Sequence, residues 1–368
     1  MAMLRQSPYH HRFLALGAQF VERIGFAAPF VFSSIVEEHR ATRERVGLFD
    51  VYYQVAVEVA GPEAAETLHR ALVGDILGQP VGRVLYASPC NEQGGMIDDL
   101  TCFRLAPDRF WVIPTPSRVD VVVALLRAAA AGRHAAVTNL GYKNAFLSVQ
   151  GPRSRDLLQA ITAADLTALR YFHLVETSVA DVPGTVVSRT GYNGELGYEL
   201  FFPSEYAEHL LDTVLDAGRP YGALPCGLGA LRSLRIEKRY PLYGLDLNDT
   251  VSPLEAGLGW TVKLAKPEFS GRAALLRQKS EGVARRLVLL VLAPGAALPA
   301  VGATVMSGGV TVGRVTSADV GHTVGRTLAM AFVDAKHAVD DTGVQVAEQP
   351  ATVLTRAAYD PDGLRARG

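Results

Sequence analysis

The residues best able to do chemistry lie in two glycine-rich stretches. Residues 188–200 read S-R-T-G-Y-N-G-E-L-G-Y-E-L, with Gly191, Gly194 and Gly197 recurring every third residue between two apolar, strand-like runs. Glycine serves where a backbone turns through positive φ or passes close to something flat, so the spacing predicts a tight, shaped hairpin. Within it, Tyr192 offers an aromatic face and Glu199 a carboxylate set between apolar Tyr198 and Leu200. A carboxylate there is either solvated or satisfied by a specific partner. The second stretch, N-E-Q-G-G-M-I-D-D-L at 91–100, ends in Asp98 and Asp99. Adjacent strand residues point to opposite faces, so only one of the two acids can face a given cavity. The plainer alternative is a pair of turn-adjacent, solvated acids.

Those acids ride on an internal repeat. V-A-V-E-V-A-G-P-E-A-A-E-T-L-H-R-A-L, from Val55 to Leu72, alternates like a half-buried strand, stops at Gly61 and restarts as a helix with Pro62 in its first turn. The plan returns in A-F-L-S-V-Q-G-P-R-S-R-D-L-L-Q-A-I, where Gly151-Pro152 takes the place of Gly61-Pro62. A hairpin follows in each copy, then a helix. In the first copy that helix opens near Ser117 with Asp120 in a capping pattern; in the second it opens near Ser204. Two such α+β units with approximate twofold symmetry would bring their hairpins to a shared centre, each presenting one carboxylate.

P-C-G-L-G-A-L-R-S-L-R-I-E, from Pro225 to Glu237, superficially suggests a dinucleotide fingerprint. Its third glycine is replaced by Arg232, and no ribose-binding acid is evident after a following strand. The stretch reads instead as a helix that buries Leu231 and Leu234 and offers Arg235 to a neighbouring cavity. From Arg285 the texture changes to short β-branched runs punctuated by glycine, with Gly308-Gly309 as a hairpin signal. A small antiparallel barrel is expected there, after a polar boundary near 279–284. The last residues, Y-D-P-D-G-L-R-A-R-G, read as a surface tail.

Composition narrows the partners. With 36 basic and 37 acidic residues and no block of like charge, nucleic acid or a charged membrane surface is not expected to bind. Cys90, Cys102 and Cys226 are widely separated and odd in number, which gives neither metal spacing nor a disulfide framework and suits a reducing, cytoplasmic setting. His10, His11 and Arg12 interrupt the N-terminus before any secretory h-region, and no run reaches membrane-spanning length.

V-G-L-F-D-V at 46–51, the E-V-x-G-P-E-A segment, N-E-x-G-G-M-I-D-D-L, S-R-T-G-Y-N-G-E-L-G-Y-E-L, L-R-S-L-R-I-E, Y-G-L-D and P-L-E-A-G-L-G-W occur in that order over nearly the whole chain. In these motifs the sequence resembles the folate-dependent aminomethyltransferases, the family of the glycine cleavage T protein, and is close to the folate domains of dimethylglycine and sarcosine oxidising enzymes and to folate-dependent demethylases. The resemblance implies an α+β fold of three domains in a clover-leaf around a central tetrahydrofolate channel. The expected division is residues 1–52 with 141–280, residues 53–140, and a C-terminal barrel over 281–368.

Carried onto matching positions, the resemblance makes Asp99 the catalytic aspartate, Glu199 the pterin-binding glutamate, Tyr192 the pterin-neighbouring tyrosine and Arg235 the folate-side arginine. One carboxylate can accept the adjacent N–H and amino group of a reduced pterin. A fixed charge beside the folate nitrogens stabilises a cationic one-carbon centre. No metal is implied.

The pattern departs from many T proteins at Tyr52, Tyr53 and Gln54, where those carry Ser-His-Met, and at Pro114-Thr115-Pro116, where they carry Asn-Ala. The expected reaction is one-carbon transfer between a small amine or methylated compound and tetrahydrofolate, with a carrier or oxidase protein as a further partner. Two alternatives stand beside it. One is a T protein acting on a lipoyl carrier. The other is a non-catalytic folate-binding iron–sulfur maintenance protein, whose K-G-C-Y-x-G-Q-E motif is here the cysteine-free K-L-A-K-P-E-F-S-G-R-A from Lys263.

Overall fold

A computed structural model describes residues 3–368. Strands β1 (Arg5–Gln6), β2 (Gln19–Arg23) and β3 (Phe26–Val31) form a small N-terminal ribbon beside helix α1 (His10–Ala15). Helix α2 (Ile35–Glu44) is capped by Ser34, whose side chain accepts the Glu37 N–H, and it feeds strand β4 (Val46–Asp50).

The repeat is physical. The first copy runs β5 (Val57–Ala60), α3 (Ala64–Ala71), β6 (Val84–Ala87), β7 (Leu100–Ala106), β8 (Arg109–Ile113), α4 (Val119–Ala130), β9 (Ala136–Asn139). The second runs β10 (Asn144–Gln150), α5 (Ser154–Gln159), β11 (Leu174–Val179), β12 (Val182–Ser188), β13 (Gly197–Pro203), α6 (Ala207–Gly218), β14 (Ala223–Cys226). Their sheets have the orders β6-β7-β8-β5-β9 and β11-β12-β13-β10-β4-β14. The second differs from the first by β4, which stands where β9 stands and adds β14 at its far edge.

Local detail repeats too. Gly61 and Gly151 have φ of 129° and 131°. The N–H of Glu63 bonds to the His134 carbonyl at 3.1 Å, and that of Arg153 to the Arg45 carbonyl at 3.2 Å. A Cβ on either glycine would lie 2.4 Å from that same carbonyl oxygen. Glycine is therefore required twice, for one reason.

Two boundaries differ from expectation. Helix α3 begins at Ala64, so Pro62 lies in the turn before it. Helix α4 is entered through a 3-10 turn at Pro116–Arg118 and has no side-chain cap. Asp120 sits in its first turn, where it complements the helix dipole rather than closing a capping box.

The apolar residues sort into layers by strand alternation. Val57, Val59, Leu100, Cys102, Phe110 and Val112 pack beneath α3 and α4 on the outer face of the first sheet. Leu147, Tyr198, Leu200 and Phe202 do the same beneath α5 and α6 on the second. The opposite faces meet each other through Val84, Phe103, Trp111, Phe146, Val186 and Phe201. Phe201 stacks on Phe146 at 4.0 Å and meets Phe103 edge-on at 5.4 Å.

Helix α7 (Leu228–Glu237) and helix α8 (Arg272–Glu281) lead to a closed antiparallel barrel. Its strands are β15 (Arg285–Leu292), β16 (Thr304–Ser307), β17 (Val310–Gly321), β18 (Arg326–Asp334), β19 (Gly343–Val346) and β20 (Gln349–Leu354). Gly308-Gly309 is the β16–β17 turn, with φ of 56° and 80°.

The end of the chain, expected to be a surface tail, is docked instead. Tyr359 donates to Glu195 at 2.8 Å under the Arg43 guanidinium, Asp360 pairs with Lys238 at 2.9 Å, and Arg365 pairs with Glu195 at 2.9 Å. Short helix α9 (Leu364–Arg367) closes it with Ala366 buried. A run of polar letters concealed this because its partners lie more than a hundred residues away.

Gly151→Ala is expected to cost about 2 kcal/mol or more, since it combines a disfavoured backbone conformation with a carbonyl collision. Urea unfolding of the variant against the parent chain measures it, and Gly61→Ala should behave alike.

Candidate active site

Strand alternation decides which way each acid points. On β13, Glu199 shares a face with Phe201, while Tyr198 and Leu200 face the helices. On the approach to β7, Asp99 continues the inward row that leads to Phe103, while Leu100 and Cys102 face outward. Both acids therefore sit in the layer between the sheets, and both keep partial contact with solvent there.

Asp98 and Asp99, just before β7, differ in burial and in partners. Asp98 is fully buried, accepts the Thr115 backbone N–H at 2.9 Å, and is pushed up to about 8 by burial and then by the neighbouring Asp99 charge. Asp99 accepts the Tyr86 hydroxyl at 2.7 Å. Burial raises it to about 6, against the lowering effect of that hydrogen bond. Of the two, Asp98 is held the further above the usual carboxylate range and Asp99 is the readier to ionise.

Glu199 lies opposite Ser148 on one side and Ser188 on the other. Its carboxylate accepts the Thr190 hydroxyl, which in turn contacts Ser188 at 2.8 Å. Burial raises its pKa to about 7. One hydroxyl donor leaves most of the acceptor capacity of a carboxylate unused.

The two copies do not contribute equivalent positions. Matching Gly61 to Gly151 through the β5–β8 and β10–β13 registers puts Trp111, not Asp99, in the place of Glu199. Both copies supply an acid to one layer, but the repeat is broken at the acids themselves.

Tyr192 lies in the loop between β12 and β13, and its hydroxyl donates to the Pro241 carbonyl at 2.6 Å. Its ring lies 6.0 Å from that of Tyr240. Burial raises its hydroxyl well above the usual tyrosine range; Arg235 opposes that shift and Asp99 adds to it. Arg235 is buried and its charge is already taken, through an ion pair with Asp246 at 2.8 Å. Asp246 also accepts the hydroxyls of Thr316 and Ser317 from the barrel. This arginine therefore ties α7 to the third lobe, and one further N–H, on Nε, has no partner.

Three contributors escaped the sequence reading. Tyr86 was legible in principle, because V-L-Y-A alternates and Val84 faces inward. Asp246 and Arg23 were not. Arg23 ends β2 in the N-terminal ribbon, and its charge lowers the pKa of the Tyr53 and Tyr192 hydroxyls against burial. Among the described residues no cluster of three metal-ligating side chains occurs, and no helix is long and apolar enough to cross a membrane.

Comparison with known proteins gives this arrangement a context. The GCVT N-terminal domain model matches residues 9–266, and the glycine cleavage T-protein C-terminal barrel domain model matches 285–360. The chain belongs to the glycine cleavage T-protein, or aminomethyltransferase, family. An aminomethyltransferase of Streptomyces coelicolor is 40% identical over 342 residues, covering 92% of each chain. That of Bacillus subtilis is 35% identical over 362 residues, covering 98% of this chain and 99% of the relative. Among solved structures, a glycine cleavage system aminomethyltransferase T from Bartonella henselae superposes with a TM-score of 0.89 at 28% identity, covering 97% of this chain and 98% of that one. The fold is thus the α+β clover-leaf of this family, closed by its barrel. The chain is an enzyme, a folate-dependent transferase of the aminomethyltransferase type.

Glu199 supplies a pH test. Its pKa is higher folded than unfolded, so the folded state binds the extra proton and stability falls as pH rises from about 4.5 through about 7. Glu199→Gln removes that term. Urea unfolding between pH 5 and 8 should therefore show a shallower decline in the variant than in the parent chain.

Proposed function

We propose that this chain transfers a one-carbon group from an amine donor to tetrahydrofolate in the layer between its two sheets. The observation that carries the proposal is the pair of inward-facing, half-buried carboxylates, Asp99 and Glu199, on sheets locked together by the Phe103–Phe201 contact. The residues present fit the pterin: Glu199 has one hydroxyl donor and a pKa raised to about 7, the state of an acceptor short of donors.

Tetrahydrofolate, when bound, supplies the N5 and N10 nitrogens that take the one-carbon group. Glu199 would accept the paired N–H donors of the pterin, and ligation of that kind offsets the cost of burying its charge. Tyr192, fixed by its hydrogen bond to Pro241, would wall the pterin with its ring. Asp99, held by Tyr86 and readier to ionise than Asp98, would stabilise positive charge developing on the migrating carbon. Arg235, kept in place by Asp246, would offer its unpaired Nε–H to the folate.

Aminomethyl transfer is what the names of the relatives support, and a carrier-held aminomethyl group is one source of it. A small amine is the other, supported by Tyr52 and Tyr53 in place of the family's Ser-His. The iron–sulfur maintenance reading loses support from the three cysteines, all of them buried. A cytoplasmic setting belongs to the same proposal, supported by those free thiols.

Asp99→Asn is expected to keep tetrahydrofolate binding and lose about two orders of magnitude or more in turnover. The assay follows tetrahydrofolate by mass with aminomethyl-lipoyl carrier and with N-, O- and S-methyl compounds in parallel. Turnover equal to the parent chain would sink the role of Asp99. Glu199→Ala should instead abolish the rise in melting temperature that tetrahydrofolate produces.

A further inference from the structure

Strand β8 ends at Ile113, the partner of Thr101 on β7. Continuing that antiparallel register by two residues on each side sets Thr115 opposite Asp99. Pro114 and Pro116 have no N–H, so the ladder stops there and Thr115 holds the one backbone donor between Ile113 and Ser117. Pro116 also confines it. A residue before proline is driven to extended backbone, and Thr115 has φ −56° and ψ 132°.

Fixed in this way, Thr115 reaches both acids. Its N–H donates to Asp98 Oδ2 at 2.9 Å, and its hydroxyl lies 3.4 Å from Oδ1 of Asp99 and 3.4 Å from the Asp99 backbone carbonyl. Tyr86, from β6, donates to the other carboxylate oxygen, Oδ2, at 2.7 Å. Asp99 therefore has one donor on each oxygen, supplied by two different elements. The terminal torsion of an aspartate is broad, so a carboxylate gripped once can still turn, and one gripped on both oxygens is held.

We propose that Thr115 is a positioning residue for the one-carbon transfer, holding Oδ1 so that the Asp99 carboxylate keeps one orientation toward the reacting carbon. This rests on the function proposed above. Pro114-Thr115-Pro116 is one of the two places where the chain departs from many T proteins, and a hydroxyl is what the departure supplies. Bulk alone would fill the turn without orienting anything. The hydroxyl is the part that positions.

The test uses the full chain with Thr115→Val, which keeps the branched shape and loses the hydroxyl, and Thr115→Ser, which keeps the hydroxyl. Turnover is followed by the mass of tetrahydrofolate with aminomethyl-lipoyl carrier and with N-, O- and S-methyl compounds. Thr115→Val is expected to lower kcat about 10-fold, with KM and tetrahydrofolate affinity within about 2-fold of the parent chain, as one hydrogen bond to a charged group is lost. Thr115→Ser should recover most of kcat. Removing a donor to the ionised form raises a carboxyl pKa. NMR titration of isotope-labelled aspartate carboxyls, with the Asp99 signal assigned by its absence in Asp99→Asn, should therefore show Asp99 titrating at higher pH in Thr115→Val. Tyr86, Asp98, Tyr192, Tyr243 and Asp246, the other titratable groups that bear on Asp99, are the same in both Thr115 variants. An unchanged kcat, an equal loss in Thr115→Val and Thr115→Ser, or an unmoved Asp99 titration overturns the proposal. The titration decides it even where the parent chain turns over none of these donors, a result that strikes the function instead.

Discussion

Everything about the site follows from two β-sheets burying their inner faces against each other. Phe201 is the pivot of that contact, stacked on Phe146 in its own sheet and set edge-on against Phe103 of the other. Burying such rings dominates core energetics, so the sheets cannot slide without losing it. Because side chains alternate along a strand, the same contact dictates that Glu199 and Asp99 point into the shared layer. Their raised pKa values are the electrostatic counterpart of that packing: a layer dry enough to hold the aromatics makes every carboxylate in it reluctant to ionise.

A duplicated unit makes such a layer easily, yet the duplication was not used symmetrically. The glycines, helices and sheet orders repeat, while the acids occupy positions that the repeat does not relate. Trp111 stands where the second copy has Glu199, and it spends its indole N–H on Glu58 at 3.1 Å. One face of the layer is thus committed to structure where the other is left open to a ligand. The barrel completes the arrangement from the side, through Asp246, which joins Arg235 to Thr316 and Ser317.

Much of this was legible in the residues. Gly61-Pro62 and Gly151-Pro152 disclosed the repeat, because a strand that must turn against a carbonyl can use no other residue there. Short β-branched runs disclosed the barrel. What stayed hidden depends on contacts distant in sequence. Arg235 was read as a free cation because Asp246 gives no local sign of being its partner. The C-terminal residues looked solvated because their acids and bases find partners far away.

That docked C-terminus bears on how the molecule comes into being on the ribosome. Glu195 and Glu237 are fully enclosed, and Glu237, opposed by burial, is held down to about 2 by His39 and Arg43. Glu195 has Arg43 from well before it in the chain, but Arg365 and the Tyr359 hydroxyl follow only after the whole barrel. Until those residues clear the exit tunnel, a buried carboxylate in the second lobe is short of donors, so vectorial synthesis leaves that lobe unfinished whatever has already folded. The clover-leaf is in this sense latched by residues 359–368, which follow the barrel.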